Sequence, residues 1–258
     1  MPASPARATA HWRRLPLETA GAAALLEGSA ALLDGLADDP APTLRWYRAR
    51  RTAIVLGRGQ RRLEVRAGAD VDLVRRDSGG GAVLLDPELL SLDVAVPAGH
   101  PWIDPGDLGA VFARVGAAWA AALGDLGLRG AVVHEGPSTT PRATDTRSSL
   151  LAAVCYASLG RGEVRVGPRK LVGLSQRHRR HGVLVQCGLL RRWRPAALLE
   201  ALDADPADAE VTGAAVGLED LLHPAPGDAE VIGAVEAAFE RAVAAPHPPP
   251  DGTATEVA

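Results

Sequence analysis

Residues 89–97 alternate: Leu90, Leu92, Val94 and Val96 fall on one side, Ser91, Asp93 and Ala95 on the other. A period of two is the repeat of a pleated strand, and an apolar side needs something packed on it. The spacing predicts a half-buried strand, so the chain must build a sheet. Strand-length runs recur around it, at residues 44–49, 52–57, 71–76, 82–86, 131–134, 163–167 and 182–190. Helical stripes are fewer. One runs from Leu17 to Leu36 and stops at Asp38, Asp39 and Pro40; another runs from Asp107 to Leu126 with Val111, Val115, Ala118 and Trp119 on one face. After Trp193 the character changes, and residues 195–202, 208–222 and 229–244 read as helices. Residues 137–149, rich in Ser, Thr and Pro, read as a loop.

A length of 258 residues fits one large domain, or one domain with a small appendage. The net charge of -3 argues against bulk nucleic-acid binding. No apolar run approaches the ~18 residues that a membrane span needs. The N-terminus lacks an apolar run followed by a cleavage site, so a cytoplasmic protein is expected. Cys155 and Cys187 are the only cysteines, too few for a disulfide scaffold. His178 and His181 have no partner cluster, so no metal site is expected.

One residue stands out chemically. Of 28 Lys and Arg residues, Lys170 is the single lysine. Where Arg serves, this chain uses Arg. A compact ammonium differs from a planar guanidinium in fitting a tight pocket around a carbonyl or phosphate oxygen. Asn is absent, and two of the three glutamines, Gln176 and Gln186, lie in the same stretch, residues 163–188. A second feature is the segment RRDSGGGA, in which the strand ending at Arg75 and Arg76 leads through Ser78 into Gly79, Gly80, Gly81 and Ala82. Consecutive glycines let a backbone approach a ligand and offer N–H groups to an anion, and two guanidiniums suit carboxylate or phosphate. The spacing fits neither a P-loop nor a dinucleotide fingerprint. LGRGQ, residues 56–60, is a further Gly-bearing turn leaving a strand.

With these residues read, the chain resembles the superfamily of lipoate–protein ligases, biotin ligases and octanoyltransferases. RRDSGGGAVLLD, residues 75–86, is similar to the family's RRxSGGGxVxxD loop. RKLVGLSQ, residues 169–176, is similar to its GxKxxGxAQ segment, which holds an essential lysine. The AVCYASLG segment from Ala153 resembles the Cys-bearing segment of the octanoyltransferase and lipoyl amidotransferase branch. The resemblance implies an α+β fold, with mixed, mostly antiparallel sheets packed with helices in the manner of class II synthetases. It implies a catalytic domain over residues 17–193, after a flexible N-terminus of residues 1–16. A helical segment at residues 194–245 and a disordered tail at residues 246–258 follow. It also implies an acyltransferase acting in protein lipoylation. Cys155 would be its nucleophile, and Lys170 would favour the thiolate and face the reacting carbonyl.

Substrate contacts are implied for Arg75, Arg76, Ser78, Gly79, Gly80, Gly81, Ala82, Gly173, Ser175, Gln176 and Gly188. The transferase needs no cofactor, and its partners would be an acyl carrier protein and a lipoyl-domain protein, of the E2 or glycine-cleavage H type. Lipoate or octanoate is the acyl group. The alternatives are an ATP- and Mg-dependent lipoate ligase, with Cys155 a bystander, and a non-catalytic acyl- or lipoyl-domain-binding protein. Leu85, Ser91 and Cys187 depart from the family pattern: relatives carry His at the first, commonly Asn at the second, and an HG pair at the third.

Overall fold

The structure, a computed structural model, describes residues 11–66 and 71–244. The order of elements is β1 (Arg13–Ala20), α1 (Ala22–Gly35), β2 (Thr43–Ala49), β3 (Ala53–Leu56), β4 (Asp72–Arg75), β5 (Val83–Leu85) and β6 (Leu89–Pro97). There follow α2 (Ala110–Asp125), β7 (Ala131–Val133), α3 (Thr146–Ala153), β8 (Val164–Val166), β9 (Arg169–Arg179) and β10 (Gly182–Leu190). The chain then closes through α4 (Ala196–Ala201), α5 (Ala209–Ala214) and α6 (Asp228–Ala244). The large sheet runs β1-β2-β6-β10-β9-β8-β7, antiparallel throughout except for the β1–β2 pair. A small sheet, β4-β3-β5, lies apart from it.

Two layers cover the large sheet. On one face Leu90, Leu92, Val94 and Val96 of β6 meet Val115, Trp119 and Leu123 of α2 and Val235 and Phe239 of α6. On the other, Tyr47 and Leu89 meet Leu25 of α1 and Val55 and Leu85 of the small sheet. The predicted alternation of β6 therefore holds, but the strand is buried on both faces instead of one. Its polar face survives burial because Asp93 meets Arg45 of the neighbouring strand, at 2.9 Å.

The expected frayed N-terminus is corrected where it falls on described residues: Arg13–Pro16 belong to β1. That edge strand has a register shift between Leu15 and Glu18, where Pro16, without an N–H, is tolerated. The helix predicted from Leu17 starts at Ala22. The end of the predicted loop 137–149 is the first turn of α3, whose N-cap Asp145 accepts from the Ser148 N–H at 2.7 Å. The predicted tail after residue 245 lies outside the described residues. Among the described residues no helix is long and apolar enough to cross a membrane.

Candidate active site

The glycine-rich loop joins β4 to β5 and lies flat on the segment that carries Cys155. The Ala82 N–H donates to the Ala153 carbonyl at 2.6 Å, and the Cys155 N–H donates to the Ala82 carbonyl at 2.9 Å. A Cβ on Gly81 would sit 2.7 Å from both the Ala153 oxygen and the Cys155 nitrogen, which is why a glycine stands there. Gly80 has φ +96, in the left-handed region. The LGRGQ turn is part of the same assembly. A Cβ on Gly57 would overlap the Gly80 carbonyl oxygen. Gln60 accepts from the Gly57 N–H at 3.0 Å and donates to the Ala153 carbonyl at 2.9 Å.

Arg75 and Arg76, expected to meet substrate, are engaged with backbone. Arg75 donates to the Gln60 carbonyl at 2.8 Å; Arg76 donates to the Gly79 and Gly81 carbonyls, each at 2.9 Å, and so wraps its own loop.

Cys155 opens a single 3₁₀ turn, Cys155–Ala157, and is half-buried. A Cβ on Gly80 would lie 3.9 Å from its sulfur. Lys170, on β9, is only 2% exposed. Its Nζ donates to the Cys155 carbonyl at 2.8 Å and the Ser158 carbonyl at 2.9 Å, and pairs with Glu163 Oε2 at 2.7 Å. Three acceptors converging on one point explain a lysine where every other cation is Arg. The ammonium lies behind the Cys155 backbone with its three donors engaged, rather than free toward a reacting carbonyl.

Sequence reasoning missed Glu163 as a partner. It is 4% exposed, and it also accepts from the Gly160 N–H at 2.6 Å and the Leu174 N–H at 3.0 Å. A signal existed: Glu163 is the only acidic residue in the stretch 163–188, and a buried lysine requires a countercharge.

Beside Cys155 opens a pocket of about 500 Å³, measured out to its mouth. Leu26, Tyr47, Val55, Leu85 and Leu89 give it apolar walls, with Cys155, Arg76, Ser175 and Gln186 also on its border. Its floor includes a row of residues directly opposite one another across four strands: Gly173, Gly188, Ser91 and Tyr47. The two predicted glycines seat Tyr156. A Cβ on Gly188 would come 2.7 Å from the Tyr156 hydroxyl, and one on Gly173 3.1 Å; that hydroxyl donates to the Gly188 carbonyl at 2.7 Å.

Ser78 and Ser175 are joined at 3.2 Å, and Ser78 donates to Gln186 at 2.7 Å. Gln176 is a correction. It follows Ser175 on β9, so it points to the opposite face, where its amide donates to the Leu108 carbonyl at 3.2 Å. The three positions that depart from the family pattern, Leu85, Ser91 and Cys187, all border the pocket. The Cys187 side chain packs in the α2-side core, and burial pushes its thiol pKa up.

A large, mostly antiparallel sheet backed by helices, with a glycine-rich loop against the Cys155 segment, matches the fold of solved lipoate-protein ligases. The chain belongs to the lipoyl protein ligase A/B catalytic domain family, whose model matches residues 25–240. Among solved structures it is similar to a lipoate-protein ligase A bound with ATP (20% identity, TM-score 0.65, covering 91% of this chain and 86% of that one). It is also similar to a bipartite lipoate protein ligase of Thermoplasma acidophilum, studied with its E2 lipoyl domain (18%, 0.63, 91% and 84%). A third is LipL1 of P. falciparum in complex with lipoate (14%, 0.57, 88% and 60%). At these identities the likeness is one of fold. No curated protein matches the chain in sequence.

Proposed function

We propose that the protein transfers an octanoyl or lipoyl group onto a lysine of a lipoyl-domain protein through an acyl-Cys155 intermediate. The observation that carries this reading is the place of the thiol: at the border of an apolar pocket, against Gly80, on a backbone fixed from behind by Lys170. The thiolate attacks the thioester carbonyl of an acyl carrier protein, the carrier sulfur departs as a thiolate, and the acyl group stays on the Cys155 sulfur. The neutral acceptor lysine amine then attacks, its nitrogen gives up a proton to solvent, an amide forms, and the Cys155 thiolate is released.

The N–H groups of Gly79, Gly80 and Gly81 make no hydrogen bond among the described residues, so they are free to meet the oxyanion. Lys170 acts as a positioning residue, holding the carbonyl of the nucleophile's own residue. The apolar walls take the acyl tail, where eight carbons contribute at most roughly 6 kcal/mol. The pairing of the Thermoplasma ligase with an E2 lipoyl domain supports an acceptor of that kind.

One observation favours a second reading, the ATP-dependent ligase. Arg75, Arg76, Arg177 and Ser78, with Glu27 and Asp77, border a second cavity that adjoins the apolar pocket, and a fold neighbour binds ATP. Incubation with octanoyl carrier protein separates the two. The transferase gives an acyl adduct by intact mass that is lost in Cys155→Ala. Lipoate-dependent ATP–pyrophosphate exchange with no adduct would overturn it in favour of the ligase; neither signal would leave a binding protein.

A further inference from the structure

Asp93 is fully buried at the centre of the large sheet. Four residues stand opposite one another across four strands: Arg45 on β2, Asp93 on β6, Gln186 on β10 and Ser175 on β9. Asp93 Oδ2 accepts from Ser29 of α1 at 2.7 Å and from Arg45 at 2.9 Å. Its Oδ1 is buried and, among the described residues, has no partner at hydrogen-bond distance, on a residue that stands opposite Gln186. Arg45 continues outward to Glu18 of β1 at 2.8 Å. At the other end, Gln186 Oε1 accepts from the buried Ser78 hydroxyl at 2.7 Å, and the Ser175 hydroxyl donates to Ser78 at 3.2 Å. Ser78 is the residue that opens the triple glycine.

The row has a polarity. A carboxylate only accepts, so the favoured face for Gln186 to turn to it is the NH₂. The amide oxygen then points to Ser78, and the single hydroxyl hydrogen of Ser78 is committed to it. Ser78 is left as acceptor for Ser175, and the glycine loop is held at its first residue from the floor of the sheet. Gln186 borders both cavities, so the same amide stands between the apolar pocket and the second, Arg-bordered one.

We propose that Asp93 and Gln186 are positioning residues: the carboxylate fixes the sense of the Gln186 amide, which fixes Ser78 and holds the glycine loop over Cys155. The inference rests on the reading of Cys155 as the reactive centre, but its test does not require acyl transfer. The charged and titratable groups facing Asp93 are Arg45 and Tyr47 from β2 and, through Arg45, Glu18; the Cys187 thiol of β10 lies on the opposite face of the sheet.

The rate of Cys155 carbamidomethylation by iodoacetamide, located by peptide mass, reports the loop directly. Ser78→Ala and Gln186→Met are each expected to change that rate by about fivefold, and the double variant by no more than either single, because both cut one chain. In the wild type the logarithm of the rate against pH departs from unit slope where Asp93 titrates. Gln186→Met restores unit slope, although Asp93 is still present. Additive single effects, or the same slope in both proteins, would overturn the proposal.

Should Gln186→Met fail to fold, Asp93→Asn keeps the shape and removes the polarity, and is expected to be non-additive with Ser78→Ala in the same way. The octanoyl adduct is scored in parallel. Coupled alkylation without any adduct sinks acyl transfer and leaves the positioning intact. An adduct with additive alkylation sinks the positioning alone.

Discussion

Lys170 and Glu163 form a unit that neither residue makes alone. The ammonium is 2% exposed, and Glu163 is its one charged partner among the described residues, at 2.7 Å. Removing one member of such a pair costs about 3–5 kcal/mol, because the other charge stays buried without compensation. Glu163→Gln is therefore expected to lower the urea unfolding free energy by that order. An unchanged midpoint and slope would show that the pair is not holding this corner. Lys170→Arg brings a broad fork to a site shaped for a point, and it is expected to abolish the Cys155 acyl adduct; a full adduct in that variant removes the lysine from the mechanism. The singularity of Lys170 and of Glu163 could be read from the sequence. The aim of the ammonium could not, because the carbonyls of Cys155 and Ser158 become neighbours only when the turn after α3 folds back on β9. The placement of Gln176 was open to reason once residues 169–179 are a single strand: Ser175 and Gln176 cannot both face the pocket.

At the scale of elements, two glycine-bearing turns and the Ala153–Cys155 segment meet backbone to backbone. The overlap that a Cβ on Gly57 would make is with a carbonyl oxygen, not with the end of a side chain that could swing away. Gly57→Ala must move the loop or the turn. A loss of about 1–3 kcal/mol is expected, together with a fall in adduct formation larger than the loss of folded protein explains. Normal acylation by a Gly57→Ala protein of reduced stability would mean the loop position does not matter. The strands and helices that surround this junction were legible wherever a periodic apolar side existed, as in β6 and α2. Two things were hidden. Periodicity tells that β6 has an apolar side but not that α1 and the small sheet cover the polar one. And β1, RRLPLETA, is an exposed edge strand with a proline, so it carries no apolar alternation to read.

For the whole molecule, two buried titratable groups, Asp93 and His100, lie on opposite faces of the sheet, and their effects on stability oppose. Asp93, under α1, has its pKa raised from 3.8 to about 6, chiefly by burial. The folded state binds its proton more tightly, so this contribution is full below pH 3.8 and is lost as pH rises through about 6. His100 lies on the α6 side among Trp12 and Trp102, and it accepts from the Trp102 N–H at 3.2 Å, which requires an unprotonated Nδ1. Burial, and then the charge of Arg114, lower its pKa from 6.5 to about 4. Its contribution is full above pH 6.5 and is lost as pH falls through about 4. Each amounts to about 3 kcal/mol at its full extent, from ~1.36 kcal/mol per pH unit. Since the windows overlap and the signs differ, the two cancel in the wild type between pH 4 and 6.5, leaving the slope to the remaining carboxylates. Single variants uncover them. Relative to the wild type, Asp93→Asn should gain stability as pH rises across that window, and His100→Phe should lose it, by comparable amounts in urea unfolding at pH 4, 5, 6 and 7. Parallel curves for Asp93→Asn and the wild type would mean that Arg45 holds Asp93 ionised throughout. The carboxylate at the head of the Gln186 row would then be a fixed charge, and the departure from unit slope expected for Cys155 alkylation would have to vanish with it.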